Sequence, residues 1–199
     1  VTPIPYIFAN QEHSKAWCRC LSAHGAQKFR IGMAWAGNPK TGADLERSLH
    51  LRHFESLQTV CKNKAQFISL QKGDAGRQIE ELRLHQWQGP TLIDDTHDLG
   101  DWADTAALIV NFDLVISCDT ATAHLAAAMG KPVWILNRCD ACWRWLYGQN
   151  PDRTDSPWYP TARLFRQLTA GDWDSVIAQV GRALEEFLRQ HPAPSDRAY

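Results

Sequence analysis

The chain has 199 residues, of which 44% are hydrophobic, and this is enough for one large domain or two small ones. Its net charge of -1 and its scattered basic residues argue against the broad positive field of a nucleic-acid-binding protein. No apolar run approaches the roughly 20 residues that cross a bilayer, and the Pro-rich start is unlike a signal peptide, so we predict a cytoplasmic protein.

The first 28 residues are predicted to form a connector and a helix. The connector holds two prolines and several aromatic residues, and Asn10 can cap a helix that runs to about His24 and ends at Gly25. A parallel α/β domain normally starts with a strand. We therefore interpret residues 1–28 as a linker and helix that follow a missing N-terminal region.

Three strand–helix units are predicted next. Apolar runs of strand length occupy residues 29–36, 66–70 and 91–93, and helical patterns occupy residues 52–61 and 74–85. A loop predicted at residues 40–48 follows the first strand; it carries Lys40 and Arg47 and is long enough to be mobile. Behind a polar loop at residues 96–104, a short helix is predicted at residues 105–111.

The centre of the chain is predicted to be a strand–helix–strand unit. An apolar strand at residues 114–118 leads into a polar elbow, Asp119 and Thr120, and then into an alanine-rich helix at residues 121–129. Gly130 suits a left-handed helix end, and residues 133–136 form another strand. Such a unit implies a parallel sheet with helices on its faces.

A long loop rich in aromatic side chains follows residue 137. Loops of this length are usually functional or disordered, and so many indole rings argue against disorder. A last strand is predicted at residues 162–166, a long helix at residues 173–190, and a frayed tail at residues 192–199. The rings of the loop are Trp143, Trp145, Tyr147, Trp158 and Tyr159.

These elements predict an α/β domain over residues 29–191, with a doubly wound, mostly parallel, Rossmann-like sheet of about six strands in the order 3-2-1-4-5-6. Open α/β sheets bind ligands at the carboxyl ends of their strands, where the strand order reverses. That point lies between the first and fourth strands. The loop at Gly37 and Asn38 is therefore expected beside the elbow at Asp119 and Thr120.

The elbow has the chemistry of an anion site. Thr120 is placed as the N-cap, and His124 lies one turn later on the same face, so both can join the free N–H groups of the helix. A capped helix with a surface histidine explains the same residues equally well. Arg47 and Lys40 can reach the same anion from across the crevice, although lone basic residues in loops are more often only solvated.

Several other functions are disfavoured by missing motifs. The sequence has no GxGxxG, no GxxxxGK[ST] and no GxSxG, which argues against a common dinucleotide site, a P-loop and a serine hydrolase. Six cysteines include a C-x-C at Cys18 and Cys20 and a CxxC at Cys139 and Cys142. The first spacing is wrong for zinc, so free thiols are predicted, and the role of the CxxC stays open.

Seven segments of the sequence occur in an informative order: IGMAWAGNP, ERSLHL, FISLQKG, DWADTAALI, DLVISCDTATAHLAAAMGKPVW, WRWL and SPWYP. Together they resemble the C-terminal domain of glycosyltransferase family 9, the heptosyltransferase-like GT-B enzymes, especially the branch fused to tetratricopeptide repeats. The resemblance extends over nearly all of residues 29–183, and the D-T-x-x-x-H-L element at residues 119–125 is its most specific part.

The resemblance implies a domain that binds a nucleotide-sugar donor, linked to UDP, GDP or ADP, with no cofactor and no metal. The family's heptosyltransferases usually carry lysine at the position of Arg47, so the identity of the donor does not follow. The implied contacts are Asp119, Thr120, Ala121 and His124 around the diphosphate, Arg47 neutralising it, Asn38 in the first loop, Gln71 and Lys72 near the ribose, and Trp102 and Ala103 at the base.

The resemblance also implies a partner domain. In GT-B enzymes the acceptor, here an unidentified sugar or protein, and the general base come largely from the N-terminal domain, so we expect this chain to bind donor without transferring sugar alone. If it does transfer, the base must come from this chain, from a residue such as Asp44, Asp104 or Asp140. The alternatives are a non-catalytic nucleotide-binding module and a GT-B-fold sugar-nucleotide epimerase. The aromatic loop can stack on sugar faces, but packing is slightly favoured.

Overall fold

The computed structural model describes residues 3–25, 28–40, 44–61, 64–146 and 152–191. Six strands form one parallel sheet in the order β3-β2-β1-β4-β5-β6, so the predicted class and strand order are confirmed. The strands are β1 Phe29–Ala34, β2 Ala65–Ser69, β3 Leu92–Ile93, β4 Leu114–Cys118, β5 Val133–Asn137 and β6 Ala162–Arg166.

Helices cover both faces of this sheet. The α-helices are α1 Gln11–Ala23, α2 Asp44–Arg47, α3 Gln58–Cys61, α4 Gln78–Leu84, α5 Trp102–Ile109, α6 Ala121–Ala128 and α7 Trp173–Gln190. On one face, α7 and the helical residues 51–61 pack over Ile31 and Met33 of β1. On the other face, α1, α5 and α6 pack over Ala34, because alternate residues of a strand point to opposite faces.

The four central strands are buried along their whole length, as expected for a parallel sheet covered on both sides. Gly32 of β1 lies under the ring of Phe112, and a Cβ atom at this position would stand 2.5 Å from that ring. Glycine therefore allows the helical layer to approach β1 closely.

The largest differences from the predicted elements lie at helix starts. Residues 44–47 of the predicted loop form the short helix α2. The helix α5 begins at Trp102, three residues before the predicted start, because the Asp101 carboxylate accepts from the N–H groups of Ala103 and Asp104 and caps it. The helical patterns at 52–61 and 74–85 are present, but each opens with a 3₁₀ segment, Leu51–Leu57 and Asp74–Arg77.

The N-terminal helix packs on the sheet domain. Asn10 caps α1 as predicted, accepting from the N–H groups of Glu12 and His13, and Leu21 is fully buried in the layer beneath α5 and α6. The N–H group of Tyr6 donates to the carbonyl of Ala128 at the end of α6, at 3.0 Å. The predicted tail at residues 192–199 lies outside the described residues. Within the described ranges, no helix is long and apolar enough to cross a membrane.

Candidate functional site

A cavity of about 840 Å³ opens at the carboxyl ends of β1, β2 and β4. Its walls come from the loop after β1, the loop after β2, the start of α5 and the start of α6. Of the ten residues that the sequence assigns to a site, seven line this cavity and three do not. The seven are Asn38, Arg47, Gln71, Lys72, Trp102, Thr120 and Ala121; the three are Ala103, Asp119 and His124.

The start of α6 forms one wall of the cavity. Thr120 occupies the N-cap position as predicted, and it lines the cavity together with Ala121 and Thr122. The Thr120 side chain makes no capping hydrogen bond; its hydroxyl lies 3.1 Å from the hydroxyl of Ser117, which itself donates to the carbonyl of Cys118. The first N–H groups of α6 are therefore left without a bond from the N-cap side chain, and a helix start of this kind favours anions.

A cation stands next to this helix start. Arg47, at the end of α2, lines the cavity, and its Nη1 donates to the main-chain carbonyl of Asp119 at 3.3 Å. The preceding residue, Glu46, pairs with Arg138 of the loop after β5, and Arg138 also pairs with Asp140 at 2.9 Å. These contacts hold α2 against the elbow and keep the guanidinium of Arg47 beside α6.

The side chains of Asp119 and His124 are engaged away from the cavity lining. His124 Nε2 lies 3.5 Å from the Asp119 carboxylate, and Nδ1 lies 3.1 Å from the hydroxyl of Tyr159. The imidazole also stacks on Trp145, with 5.3 Å between the ring centres and 16° between the planes. In this arrangement His124 contacts Asp119 and the aromatic loop, and its side chain does not line the cavity beside Thr120.

The protonation of this network follows from its surroundings. Burial raises the pKa of Asp119, but the nearby side chains of His124, Trp145 and Arg144 lower it more, so the pKa lies below its ordinary value. The Trp145 indole nitrogen has no hydrogen bond of standard geometry, yet it is close enough to contribute. Burial, together with the adjacent Tyr6 hydroxyl, raises the pKa of Tyr159 to about 12. At neutral pH the carboxyl is therefore anionic and the phenol is protonated.

Gln71 lines the cavity but is committed to the backbone around it. The side chain is only 4% exposed; its Oε1 accepts from the N–H groups of Trp35 and Ala36 at 2.9 and 2.8 Å. Its Nε2 donates to the carbonyls of Ala36 and Lys72 at 3.1 and 3.0 Å. The amide thus ties the end of β1 to the loop after β2 and has no donor left for a ribose.

Two other site residues also stabilise loops. The ammonium of Lys72 donates to the carbonyl of Leu99, and the side chain of Asn38 accepts from the N–H of Lys40 at 3.0 Å. Both residues line the cavity. Through these bonds the two residues fix the shape of the loops that form the cavity walls.

Trp102 gives the cavity an exposed aromatic wall. It opens α5, and 57% of its surface is exposed, which is unusual for an indole in a helix that is otherwise well buried. Ala103 does not line the cavity and contributes an N–H group to the Asp101 cap. An exposed ring at a cavity rim can stack on a flat heterocycle.

The aromatic loop after β5 combines packing with exposure. Trp145 is fully buried, whereas Trp143 is 71% exposed, and the Trp158 indole donates to the carbonyl of Arg144 at 2.7 Å. Tyr147 lies outside the described residues. Cys139 and Cys142 are free thiols in the structure, as predicted. In the described part of the chain, no group of three or more metal-ligating side chains occurs.

Sequence reasoning missed Asp101 and Tyr159 as parts of this region. Asp101 leaves a local signal, because an aspartate directly before a helical pattern is a typical N-cap, and this interpretation would have placed Trp102 correctly at the first helical position. Tyr159 leaves no local signal, because its contact with His124 joins residues 35 positions apart.

A comparison with protein families matches the segment that contributes α5 and α6 to this cavity. Residues 101–136, which span α5, β4, α6 and β5, match the model described as glycosyltransferase family 9 (heptosyltransferase). The resemblance to the C-terminal domain of glycosyltransferase family 9 is confirmed. The matched residues include the elbow and the wall of the cavity at Trp102.

The fold of this chain is similar to that of three solved structures, two of them family 9 enzymes and one an epimerase. The glycosyl transferase family 9 from Veillonella parvula DSM 2008 superposes with a TM-score of 0.63 and 16% identity, over 93% of this chain and 54% of that protein. ADP-heptose lps heptosyltransferase II of E. coli gives 0.65 and 16%, over 95% and 56%. The UDP-GlcNAc 2-epimerase from Neisseria meningitidis gives 0.54 and 13%, over 93% and 45%.

In sequence, the chain is 37% identical to Protein FlbA of Caulobacter vibrioides over 163 residues, which is 79% of this chain and 25% of FlbA. The chain therefore spans a quarter of FlbA and about half of the two family 9 enzymes.

Proposed function

We propose that this chain is the donor-binding domain of a glycosyltransferase and that it binds a nucleotide-sugar linked to UDP, GDP or ADP. The observation that carries the proposal is the cavity at the carboxyl ends of β1, β2 and β4, which joins an uncapped helix start, the guanidinium of Arg47 and the exposed indole of Trp102. The family match over residues 101–136, which include Trp102 and the start of α6, supports it.

The parts of the cavity suit the parts of such a ligand. A diphosphate is favoured by the partial positive charge of a helix start and by a guanidinium, which can hold phosphate oxygens with two parallel hydrogen bonds. The indole of Trp102 supplies a face for the base. The volume of about 840 Å³ falls within the usual range for ligand sites. The same charges would stabilise the leaving diphosphate during transfer, so no metal is required.

We propose that the acceptor and the general base come from another domain of the full protein. Two of the three carboxylates considered as bases within this chain, Asp104 and Asp140, are engaged with other residues. Asp104 accepts from the N–H of Gly100 and pairs with His13, and Asp140 pairs with Arg138. The side chain of Asp44 lies outside the described residues. A base must stand within hydrogen-bond reach of the acceptor hydroxyl, and neither described carboxylate lines the cavity.

Calorimetric titration with UDP, GDP and ADP tests the proposal. One of the three should bind to a single site, and Arg47→Met should weaken that binding about tenfold and flatten its dependence on salt concentration. Arg189→Met is the matched control, because Arg189 is exposed on α7 and pairs only loosely with Glu186, at 3.8 Å. Equal losses in both variants, or no binding of any nucleotide, would contradict the proposal.

A mixture with the rest of the natural protein separates the three functions left open by the sequence. The donor-binding domain should give slow hydrolysis alone and transfer to an acceptor after the other domain is added. Binding without turnover in the mixture would indicate a non-catalytic module. Interconversion of the sugar epimers would indicate an epimerase.

A further inference from the structure

The start of α6 has two side chains that are able to cap it, and neither does. Asp119 and Thr120 are of the types preferred at helix starts. The Thr120 hydroxyl is bonded to Ser117, which is fully buried and fixed by the carbonyl of Cys118. The Asp119 carboxylate lies against His124. Both candidate caps are thus held by other residues.

The position of the Asp119 carboxylate matters for any anion at this helix start. Asp119 lies directly before the N-cap, and a released carboxylate could turn toward the first N–H groups of α6 and bond to them. It would then occupy the donors that an anion needs and would repel the anion by its charge. A contact that keeps this carboxylate on His124 therefore protects the site.

Tyr159 is the residue that orients His124 from the other side. An anionic carboxylate only accepts hydrogen bonds, so His124 Nε2 carries the proton that faces Asp119. In the neutral ring Nδ1 is then an acceptor, and the Tyr159 hydroxyl, 3.1 Å away, is its donor. Stacking on Trp145 fixes the plane of the ring. Among the described residues, the other charged and titratable groups around this network are Arg144, from the aromatic loop, and Tyr6, from the N-terminal segment. Arg47 and Arg166 also approach it, and they donate to the main-chain carbonyls of Asp119 and Trp145.

We propose that Tyr159 is a positioning residue of the diphosphate site: its hydroxyl bonds to Nδ1 and fixes the orientation of the His124 ring, and His124 in turn holds the Asp119 carboxylate away from the start of α6. The inference rests on the proposed function, because it names the residue that keeps the proposed site open. Tyr159 touches no ligand in this account.

The variant Tyr159→Phe tests this role. It keeps the ring and its packing and removes only the hydroxyl, so we expect the affinity for the preferred nucleoside diphosphate to fall about threefold to tenfold. The affinity for the matching nucleoside, which has no phosphate, should stay unchanged. An unchanged diphosphate affinity, or an equal loss for both ligands, would overturn the proposal.

A double-mutant cycle with Asp119→Ala separates positioning from a structural effect. Without the carboxylate there is nothing for His124 to restrain, so Tyr159→Phe should have no effect on diphosphate affinity in the Asp119→Ala background. A loss of the same size in both backgrounds would show that Tyr159 acts through the fold and would overturn the proposal.

Nitrogen-15 spectra of the histidine rings give a readout that needs no ligand. The parent protein should show a proton on Nε2 of His124 and a hydrogen bond accepted by Nδ1, and Tyr159→Phe should move the Nδ1 signal because it removes the donor. An unchanged Nδ1 signal would overturn the proposal. Failure of the proposed function is distinguishable, because the parent would then bind no nucleotide while the change at Nδ1 would still be seen.

Discussion

At the scale of single residues, the side chain of Gln71 bonds to the backbone that forms the walls of the cavity. Its amide satisfies two buried N–H groups at the end of β1 and two carbonyls nearby, and an unpaired buried group costs about 1–3 kcal/mol. We expect Gln71→Leu to lower the free energy of unfolding by about 2–4 kcal/mol in the absence of nucleotide, measured by urea denaturation.

The matched control is Gln190→Leu, at an exposed position whose only described side-chain bond is to Glu186 on the same helix. Its effect should stay within about 0.5 kcal/mol. If Gln71→Leu is as stable as the parent and loses only nucleotide affinity, Gln71 is a ligand-binding residue as the resemblance first implied.

Asp119 gives a prediction for the dependence of stability on pH. Its folded pKa lies below the ordinary value, so its contribution is present above the unfolded pKa and is lost as the pH falls through the folded pKa. The parent should therefore be more stable than Asp119→Asn near neutral pH, and the difference should shrink as the pH is lowered from about 6 to about 3. Unfolding free energies of both proteins across this range check the sign; a difference that grows in acid would contradict it.

The residues of the elbow were predictable in position but not in orientation. Thr120 was recognisable as an N-cap because an apolar strand ends two residues before it and an alanine-rich helix follows. The bonds that turn its hydroxyl to Ser117 and the imidazole of His124 to Tyr159 depend on tertiary packing. Helical spacing places two side chains on one face of the helix, but it does not determine the hydrogen-bond partner of each side chain.

At the scale of elements, β1 and α7 carry glycines with opposite expected behaviour. A Cβ atom at Gly32 would stand 2.5 Å from the ring of Phe112, so Gly32→Ala should cost more than about 2 kcal/mol of unfolding free energy. A Cβ atom at Gly181 of α7 would meet Leu57 at 3.6 Å, an ordinary contact. Gly181→Ala should therefore raise stability by about 0.5–1 kcal/mol, through helix propensity.

Chemical denaturation of the two variants tests whether the free energy of unfolding falls in Gly32→Ala and rises in Gly181→Ala. Phe112→Leu should recover part of the loss in the Gly32→Ala background, because it shortens the side chain that the new methyl group meets. If Gly32→Ala is as stable as the parent, the close approach of the Phe112 ring to β1 is wrong.

Strands were easier to predict than helix starts for a physical reason. β4 and β6 have the predicted bounds. β4 is buried along its whole length and is almost entirely apolar, as expected for a central parallel strand, whereas the edge strand β6 also carries Arg163 and Arg166. The start of α5 depends on one hydrogen-bonding side chain, Asp101, and α2 depends on contacts of Glu46 and Arg47 with distant loops. Neither shows in hydrophobic periodicity.

At the scale of the whole molecule, the strand order places the candidate site. Alternation of strands and helices predicts the order 3-2-1-4-5-6, and its reversal between β1 and β4 brings the loop after β1 to the elbow at α6. The cavity is therefore a consequence of topology, while its charge depends on Arg47 and the uncapped start of α6.

The molecule has another large recess away from this edge. A groove of about 910 Å³ lies between the helical residues 50–60 and α7, and it is lined by both apolar residues and charges of either sign. The groove contains no residue of the family match at 101–136, and it does not lie at the carboxyl ends of the strands. We therefore expect that a nucleotide does not bind in this groove.

Mapping of backbone amide resonances during titration with the preferred nucleoside diphosphate tests the central claim most directly. The signals of Ala121, Thr122 and Trp102 should shift together and saturate with one affinity, while those of Ser56 and Ala178 in the groove should stay in place. Shifts confined to Ser56 and Ala178, or no shift at the start of α6 under saturating ligand, would contradict it.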